Sequence, residues 1–217
     1  FLLVETLGEE FVIMAVMDGC SGGVEAYFAA CLMGKLLRKH IRKAQSEVTD
    51  LADLSTKEIS KILLQGLFGD FKTAKNTLEL ATEELVSTLI LAVCQPNEKK
   101  AYVISLGDGT IAIDDKIYKF DQQNMPDFMA YHINKEFEAW FEKQRQQFSI
   151  SNFGTLAIST DGIDSFRNSQ SELPQSNMAQ RLLVSLEVPS LTKFISQIEE
   201  TEGFCPADDL AIVRCQL

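Results

Sequence analysis

Three apolar, strand-like segments of this chain begin or end at an aspartate, and a fourth runs into a glycine turn that carries one. Asp18 follows residues 11–17 and Asp161 follows residues 154–160. Asp208 stands just before residues 210–216, and Asp108 sits in Gly107-Asp108-Gly109 after residues 100–106. Residues 11–17 are apolar on both faces, the pattern of a buried central strand. A carboxylate at the end of such a strand is costly unless it meets a cation or strong hydrogen bonds. If these strands are neighbours, the four acids converge on one edge of the core. Taken singly, each Asp-Gly pair is an ordinary turn. Oxygen donors in a chain with only two histidines, His40 and His132, select Mg²⁺ or Mn²⁺ over zinc.

The segments around these acids predict a mixed α+β chain. Two short strands, residues 1–4 and 11–17, are joined by a turn over 5–10. A helix over 24–44 presents Ala26, Ala29, Ala30, Met33, Leu36, Leu37 and Ile41 on one side. A second helix, 55–80, opens on Ser55-Thr56-Lys57-Glu58, a capping box, with Ile59, Ile62, Leu63, Leu67 and Phe71 as its stripe. Strand patterns at 85–95 and 100–106, broken by Pro96-Asn97, read as an antiparallel hairpin. Strands at 110–113 and 116–120 flank the turn Asp114-Asp115. Residues 121–151 show no strand pattern, and 128–148 read as an aromatic-rich helix holding Trp140, the one tryptophan. Short helices at 177–186 and 190–200 precede the last strand. The middle connections are too short for crossovers, so pairing is mostly antiparallel.

The 217 residues suit one domain better than two. With 31 acidic and 20 basic side chains the net charge is −11, which disfavours nucleic acid and anionic membranes and suits divalent cations. Cys20, Cys31, Cys94, Cys205 and Cys215 are scattered, as in a cytoplasmic protein with reduced thiols. No apolar run reaches the ~18 residues of a membrane helix. The chain opens inside an apolar run without an initiator methionine, so strand residues are expected upstream of Phe1.

In that order, the motifs resemble those of a known family. Ala15-Val16-Met17-Asp18-Gly19-Cys20-Ser21-Gly22-Gly23 resembles the V-F-D-G-H-G-G signature of the protein phosphatase 2C family, the metal-dependent serine/threonine phosphatases. Ser87-Thr88 resembles its G-S/T-T strand, and Ser105-Leu106-Gly107-Asp108-Gly109 its N-x-G-D turn. Ile158-Ser159-Thr160-Asp161-Gly162-Ile163 resembles L-A-S/T-D-G-I, and Ala207-Asp208-Asp209-Leu210-Ala211-Ile212-Val213 the terminal D-N/D-I-T-V-I-V strand. Each motif alone is weak, whereas five in the right order are specific; compact bacterial members are the most similar.

The resemblance implies a four-layer αββα sandwich, two antiparallel sheets flanked by helices, with two metal ions in the channel between them. Asp18 would bridge both ions, the Gly19 carbonyl would bind the second, and Asp161 and Asp208 the first. Asp108 with Asp161 would hold a third, weaker ion; relatives add an acid where this chain has Ser165, with Asp164 one position short. Asp209 stands where many relatives have asparagine, beside the ligands. The implied activity is hydrolysis of phosphoserine or phosphothreonine in proteins by water activated on Mg²⁺ or Mn²⁺, with Asp18, Asp161 and Asp208 as the catalytic residues, phosphorylated protein as the substrate and a monomer as the working state.

Two departures stand against full activity. Cys20 replaces the family's histidine, with one residue inserted before Gly22-Gly23, and the arginine and acid that relatives carry on the preceding strand are not in these residues. Cys20 has no C-x₅-R loop, so it reads as a small side chain beside the metals and not as a nucleophile. A binding module that keeps the fold without activity is the alternative. A calcium-binding domain is a third, opposed by the lack of a D-x-D-x-D-G loop. The insert 121–151 falls where relatives carry a flap. Met125, Pro126, Phe128, Met129, Tyr131, Phe137, Trp140 and Phe141 would there either anchor a peptide or pack onto the sheet. Lys135, Lys143 and Arg145 read as solvated, and His132 as a packing histidine.

Overall fold

Strict alternation along the central strands divides their side chains between two apolar layers. Ile13, Ala15, Leu91 and Val93 point one way, while Met14, Val16, Ile90, Ala92 and Cys94 point the other, and all are buried. A sheet with two apolar faces must be covered twice, and this one is. The computed structural model describes residues 1–20, 25–48, 51–122, 126–185 and 190–217. Ser21-Gly22-Gly23 and Met125 lie outside the described residues.

In chain order the elements are β1 (Leu2–Leu7), β2 (Phe11–Val16), α1 (Ala26–Glu47), α2 (Thr56–Thr77), β3 (Leu89–Gln95), β4 (Lys100–Leu106), β5 (Gly109–Ile113) and β6 (Lys116–Phe120). There follow α3 (Phe137–Phe141), β7 (Gln147–Ser151), β8 (Thr155–Ser159), β9 (Phe166–Arg167), α4 (Leu191–Glu202), β10 (Cys205–Pro206) and β11 (Ile212–Gln216). One sheet has the order β1-β2-β3-β4-β7 and the other β11-β8-β5-β6, with every pair antiparallel. Helices α1 and α2 cover the outer face of the first sheet through Met33, Leu37, Leu63, Leu67 and Phe71. The two sheets meet through Met14, Val16, Ile90, Val103, Ile111, Leu156, Ile158 and Val213. Ala112, Ala157 and Ile163 on the far face pack under Leu182, Leu183 and Ile198 of the second helical layer. The result is the αββα sandwich expected from the sequence.

Local signals placed α2 well. The Ser55 hydroxyl accepts from Glu58 N at 3.2 Å, and the Glu58 carboxylate accepts from Ser55 N at 2.8 Å, which fixes the helix start. Ile62, assigned to its apolar stripe, lies on the outer face and is 39% exposed. Strand β1 runs to Leu7, three residues beyond the expected end, because Leu7 pairs with Phe11 across a tighter turn.

The largest correction concerns residues 121–151. The helix expected over 128–148 is a 3₁₀ turn (Met129–Tyr131), the five-residue α3, and strand β7. Its aromatics do not form a helical stripe. Phe137, Trp140 and Phe141 pack as a cluster on α2, where Phe68 meets Phe137 at 5.5 Å and Trp140 at 5.0 Å between ring centroids, whereas Phe148 packs on Tyr118 and Phe120 of β6. Strand β7, Gln147-Phe148-Ser149-Ile150-Ser151, alternates polar and apolar residues, a short strand signal that the reading of 121–151 missed; it completes the open edge of β4, with Ile104 opposite Gln147 and Lys100 opposite Ser151. Within the short helix expected over 177–186, Gln180–Val184 close a π-helical turn. No helix among the described residues is long and apolar enough to cross a membrane.

Candidate active site

Strand register sets where the four acids go. Val16 at the end of β2 lies opposite Ile90 at the start of β3, and Leu106 at the end of β4 lies opposite Leu89. In the second sheet, Ser159 at the end of β8 lies opposite both Thr110 on β5 and Ile212 on β11. Only Gly107 and Asp108 separate β4 from β5, so these strand ends belong to the same end of the sandwich. Asp18, Asp108, Asp161 and Asp208 all stand there. That turn demands glycine: Gly107 has φ +88°, and a Cβ on it would lie 3.0 Å from Thr88 Cγ2.

Asp18 is held by its backbone, whereas the Asp108 and Asp208 carboxylates each accept a backbone N–H. Asp18 N donates to Thr88 Oγ1 at 3.2 Å, and the Asp18 carbonyl accepts from Thr88 N and Ser87 Oγ, each at 2.8 Å. Gly19 bridges to Ser87, and Cys20 N donates to the Val86 carbonyl at 3.2 Å. Across the channel, the Thr160 hydroxyl ties two strands, accepting from Ala211 N at 3.0 Å and donating to the Asp209 carbonyl at 3.1 Å. Gly162 lies so close that a Cβ would fall 2.3 Å from the Asp209 carbonyl oxygen. Asp108 accepts from Gln122 N at 2.7 Å. Thr160 and Gln122 were missed as positioning residues by the sequence reading; their signal is tertiary, since each partner is remote or on another element.

The electrostatics are those of like charges gathered together, which the N-terminal ammonium and a few N–H groups only partly offset. Burial, then the charges of Asp161, Asp208 and Asp209, pushes the Asp18 carboxyl up to about 7. Asp161 is exposed at the mouth yet ringed by protein, and desolvation followed by Asp208 and Asp108 raises its pKa against its own and Gly162's N–H groups. Burial also raises Asp108, with Asp121 adding to it and the Gln122 N–H opposing it. Asp18 therefore feels Asp161 and Asp208, and Asp161 feels Asp108. A cleft of about 130 Å³ lies between Asp18 and Asp209, walled by Phe1, Met17, Thr160 and Ala211.

Two residues raised by the family comparison have other work. The Ser165 hydroxyl donates to the Gly162 carbonyl at 2.7 Å and accepts from Ala207 N and Asp208 N, each at 3.1 Å. It pins the loop that carries Asp208. Asp164 is paired with Lys119. Cys20 is half-buried and packs against the core under α1 and α2. Among the described residues no three acidic, histidine or cysteine side chains make a ready ligand shell. Such a donor set suits a hard cation that keeps most of its own water and takes only one or two carboxylates. The all-oxygen chemistry and the mutual repulsion fit Mg²⁺ or Mn²⁺.

With this geometry in place, the comparisons with known proteins are specific. The sequence profile described as protein phosphatase 2C matches residues 2–200, which takes in Asp18, Asp108 and Asp161 and stops short of Asp208. No curated protein sequence matches the chain. Among solved structures, the PP2C phosphatase domain of SpoIIE from Bacillus subtilis, with a fragment of its regulatory domain, is 19% identical with a TM-score of 0.60. All of this chain aligns there with 58% of that one, so it spans little more than half of that structure's length. The SiaA-PP2C domain of Pseudomonas aeruginosa is 12% identical with a TM-score of 0.63, over 100% of this chain and 80% of that one. RsbX, solved in complex with magnesium, is 13% identical with a TM-score of 0.58, over 100% and 86%. At these identities the solved structures speak for the fold, and the profile match speaks for the family. The chain belongs to the protein phosphatase 2C family.

Proposed function

We propose that the chain hydrolyses phosphoserine or phosphothreonine in proteins, using Mg²⁺ or Mn²⁺ held by Asp18, the Gly19 carbonyl, Asp161 and Asp208, with Asp108 and Asp161 serving a further ion. The observation that carries this reading is the strand register that brings Asp18, Asp108, Asp161 and Asp208 to one end of the sandwich, in a chain of this family. Three acids from distant segments would not be kept in mutual repulsion at a strand end unless a cation relieved them. The magnesium in RsbX supports the choice of ion. When bound, such ions supply a nucleophile from water near neutral pH and offset charge on the phosphoryl group.

The protein's own part is placement. The Ser87 and Thr88 hydroxyls hold the Asp18 backbone, Thr160 and Ser165 hold the Asp209 and Asp208 segments, and the Gly107 turn sets Asp108 opposite Asp161. None of these contacts needs to change during turnover, as preorganised electrostatic catalysis requires. The test is phosphate release from a phosphothreonine peptide and from p-nitrophenyl phosphate with Mn²⁺, which EDTA should abolish. Asp18→Ala and Asp161→Asn should each reduce it at least a hundredfold; normal turnover by either would end the assignment.

Cys20 favours a second reading, a binding module without turnover, because it stands where the resemblance places a histidine proposed as general acid for the leaving alcohol. Titration calorimetry separates the two. Absence of Mn²⁺ binding from micromolar to millimolar concentrations would favour the module.

A further inference from the structure

Residues 143–146, which leave α3 for β7, do not run free over the surface. They fold against the end of β4 and close a polar cavity of about 240 Å³ beside the Asp108 turn. The cavity is bounded by Ser105 and Gly107 on one side and by Gln122, Lys143, Arg145 and Gln146 on the other. It is smaller than the ~300–1,000 Å³ typical of small-molecule sites, and so suits one side chain better than a cofactor.

Its floor is tied to the acid cluster. Ser105 N donates to the Gln146 carbonyl at 2.9 Å. With the carboxamide oriented by its hydrogen bonds, Gln146 donates to the Ser105 and Gly107 carbonyls at 3.1 and 3.2 Å and accepts from Gln122 Nε2 at 3.2 Å. The backbone N–H of the same Gln122 holds Asp108 at 2.7 Å. At the rim Lys143 and Arg145 are both exposed, and among the described residues neither is in an ion pair, whereas Lys39, Lys61, Lys119 and Arg181 each have a carboxylate partner. The one acid lining the cavity, Asp127, is in contact with the His132 ring, which holds its carboxylate away from the two cations without removing its charge. With two cations, Lys143 and Arg145, against the one carboxylate of Asp127, the lining carries a net positive charge, on a chain of net charge −11 and next to its acid cluster.

We infer that this cavity receives an anionic group flanking the phosphorylated residue of the substrate, a carboxylate or a second phosphate, with Lys143 and Arg145 as specificity-determining residues. The inference rests on the phosphoprotein reading above. Its physical basis is that an anionic peptide approaching an acidic protein is repelled everywhere except where fixed positive charge is concentrated. Two exposed charge contacts are each worth a few-fold in affinity, so together they supply about tenfold.

The test is fluorescence anisotropy with labelled phosphothreonine peptides that have neutral flanks, a scanned aspartate, or a second phosphoserine. The best acidic peptide should bind about tenfold tighter than the neutral one, the aspartate and phosphoserine series showing which anion is preferred. The preference should fall below twofold in the Lys143→Ala/Arg145→Ala protein and shrink when salt rises from about 50 to 500 mM. A control that removes two charges elsewhere, Lys72→Ala/Lys193→Ala on α2 and α4, should keep it. A wild-type preference under twofold, its persistence in the cavity variant, or its equal loss in the control would each overturn the inference. Turnover of p-nitrophenyl phosphate, run in parallel, reports the activity alone. Acid preference without turnover would sink the phosphatase reading and keep the cavity, and turnover without preference would do the reverse.

Discussion

Replacing Asp18 by asparagine should stabilise the metal-free protein, against the usual expectation for a change at a conserved-looking motif. The described residues place no hydrogen bond on the Asp18 carboxylate, while burial and three neighbouring acids push its pKa from 3.8 up to about 7. A carboxyl with a higher pKa in the folded chain holds its proton more tightly there. Folding is favoured most below pH 3.8, and that advantage is lost as pH climbs through about 7. The rise corresponds to about 4 kcal/mol, which solvent screening at a half-buried group reduces to about 2 kcal/mol. For a chain of this size that is about 5 °C in Tm. Thermal unfolding by circular dichroism in EDTA at pH 8 should show Asp18→Asn melting higher by this amount, with the gain vanishing towards pH 4. Saturating Mn²⁺ should reverse the order, since an ion at a hundred times its Kd adds about 2.7 kcal/mol to the wild type alone. If the variant is no more stable in EDTA at pH 8, or gains equally from Mn²⁺, the acids neither repel one another nor share an ion.

Three further substitutions probe the scaffold. In Gly162→Ala the new Cβ would meet the Asp209 carbonyl oxygen at 2.3 Å, so backbone must move; a loss of about 2 kcal/mol in urea unfolding and weaker Mn²⁺ binding by calorimetry are expected. Unchanged values would show that the Asp209 segment is not held there. Ser165→Ala removes the acceptor for Ala207 N and Asp208 N and should cost about 1–2 kcal/mol, with a several-fold loss of Mn²⁺ affinity. Equal affinity would separate Asp208 from the ion. Ser55→Ala removes the cap of α2 and should cost about 1 kcal/mol in urea unfolding while leaving phosphate release intact; a fall in release would tie the helix start to the acid cluster.

The parts of this protein legible in its sequence are those whose cause is local. Ser55 and Glu58 find each other three residues apart, so the start of α2 needs nothing remote. Residues 89–94 and 11–16 are apolar at every position, and such runs have no stable place except the middle of a sheet covered on both faces. The acids at strand ends were visible for the same reason, since Asp18, Asp108, Asp161 and Asp208 interrupt apolar runs abruptly. The tertiary structure alone decided what depends on a partner. Strand β7 has a legible but five-residue alternation, and only the open edge of β4 decides its place; a 3.6-residue reading of its aromatic approach finds a helix where Phe137 and Trp140 are instead gathered by Phe68 of α2. Ser165, an apparent gap in a ligand set when read along the chain, is revealed as the hydroxyl that pins Asp208. Lys143 and Arg145, unremarkable in sequence, acquire a setting only when their segment closes against Gly107. The physical reason is one of range: hydrogen bonds within a turn and the burial of a continuous apolar run are specified by neighbours in the chain, whereas strand edges, shared charge and cavities are made between segments whose separation the chain order does not encode.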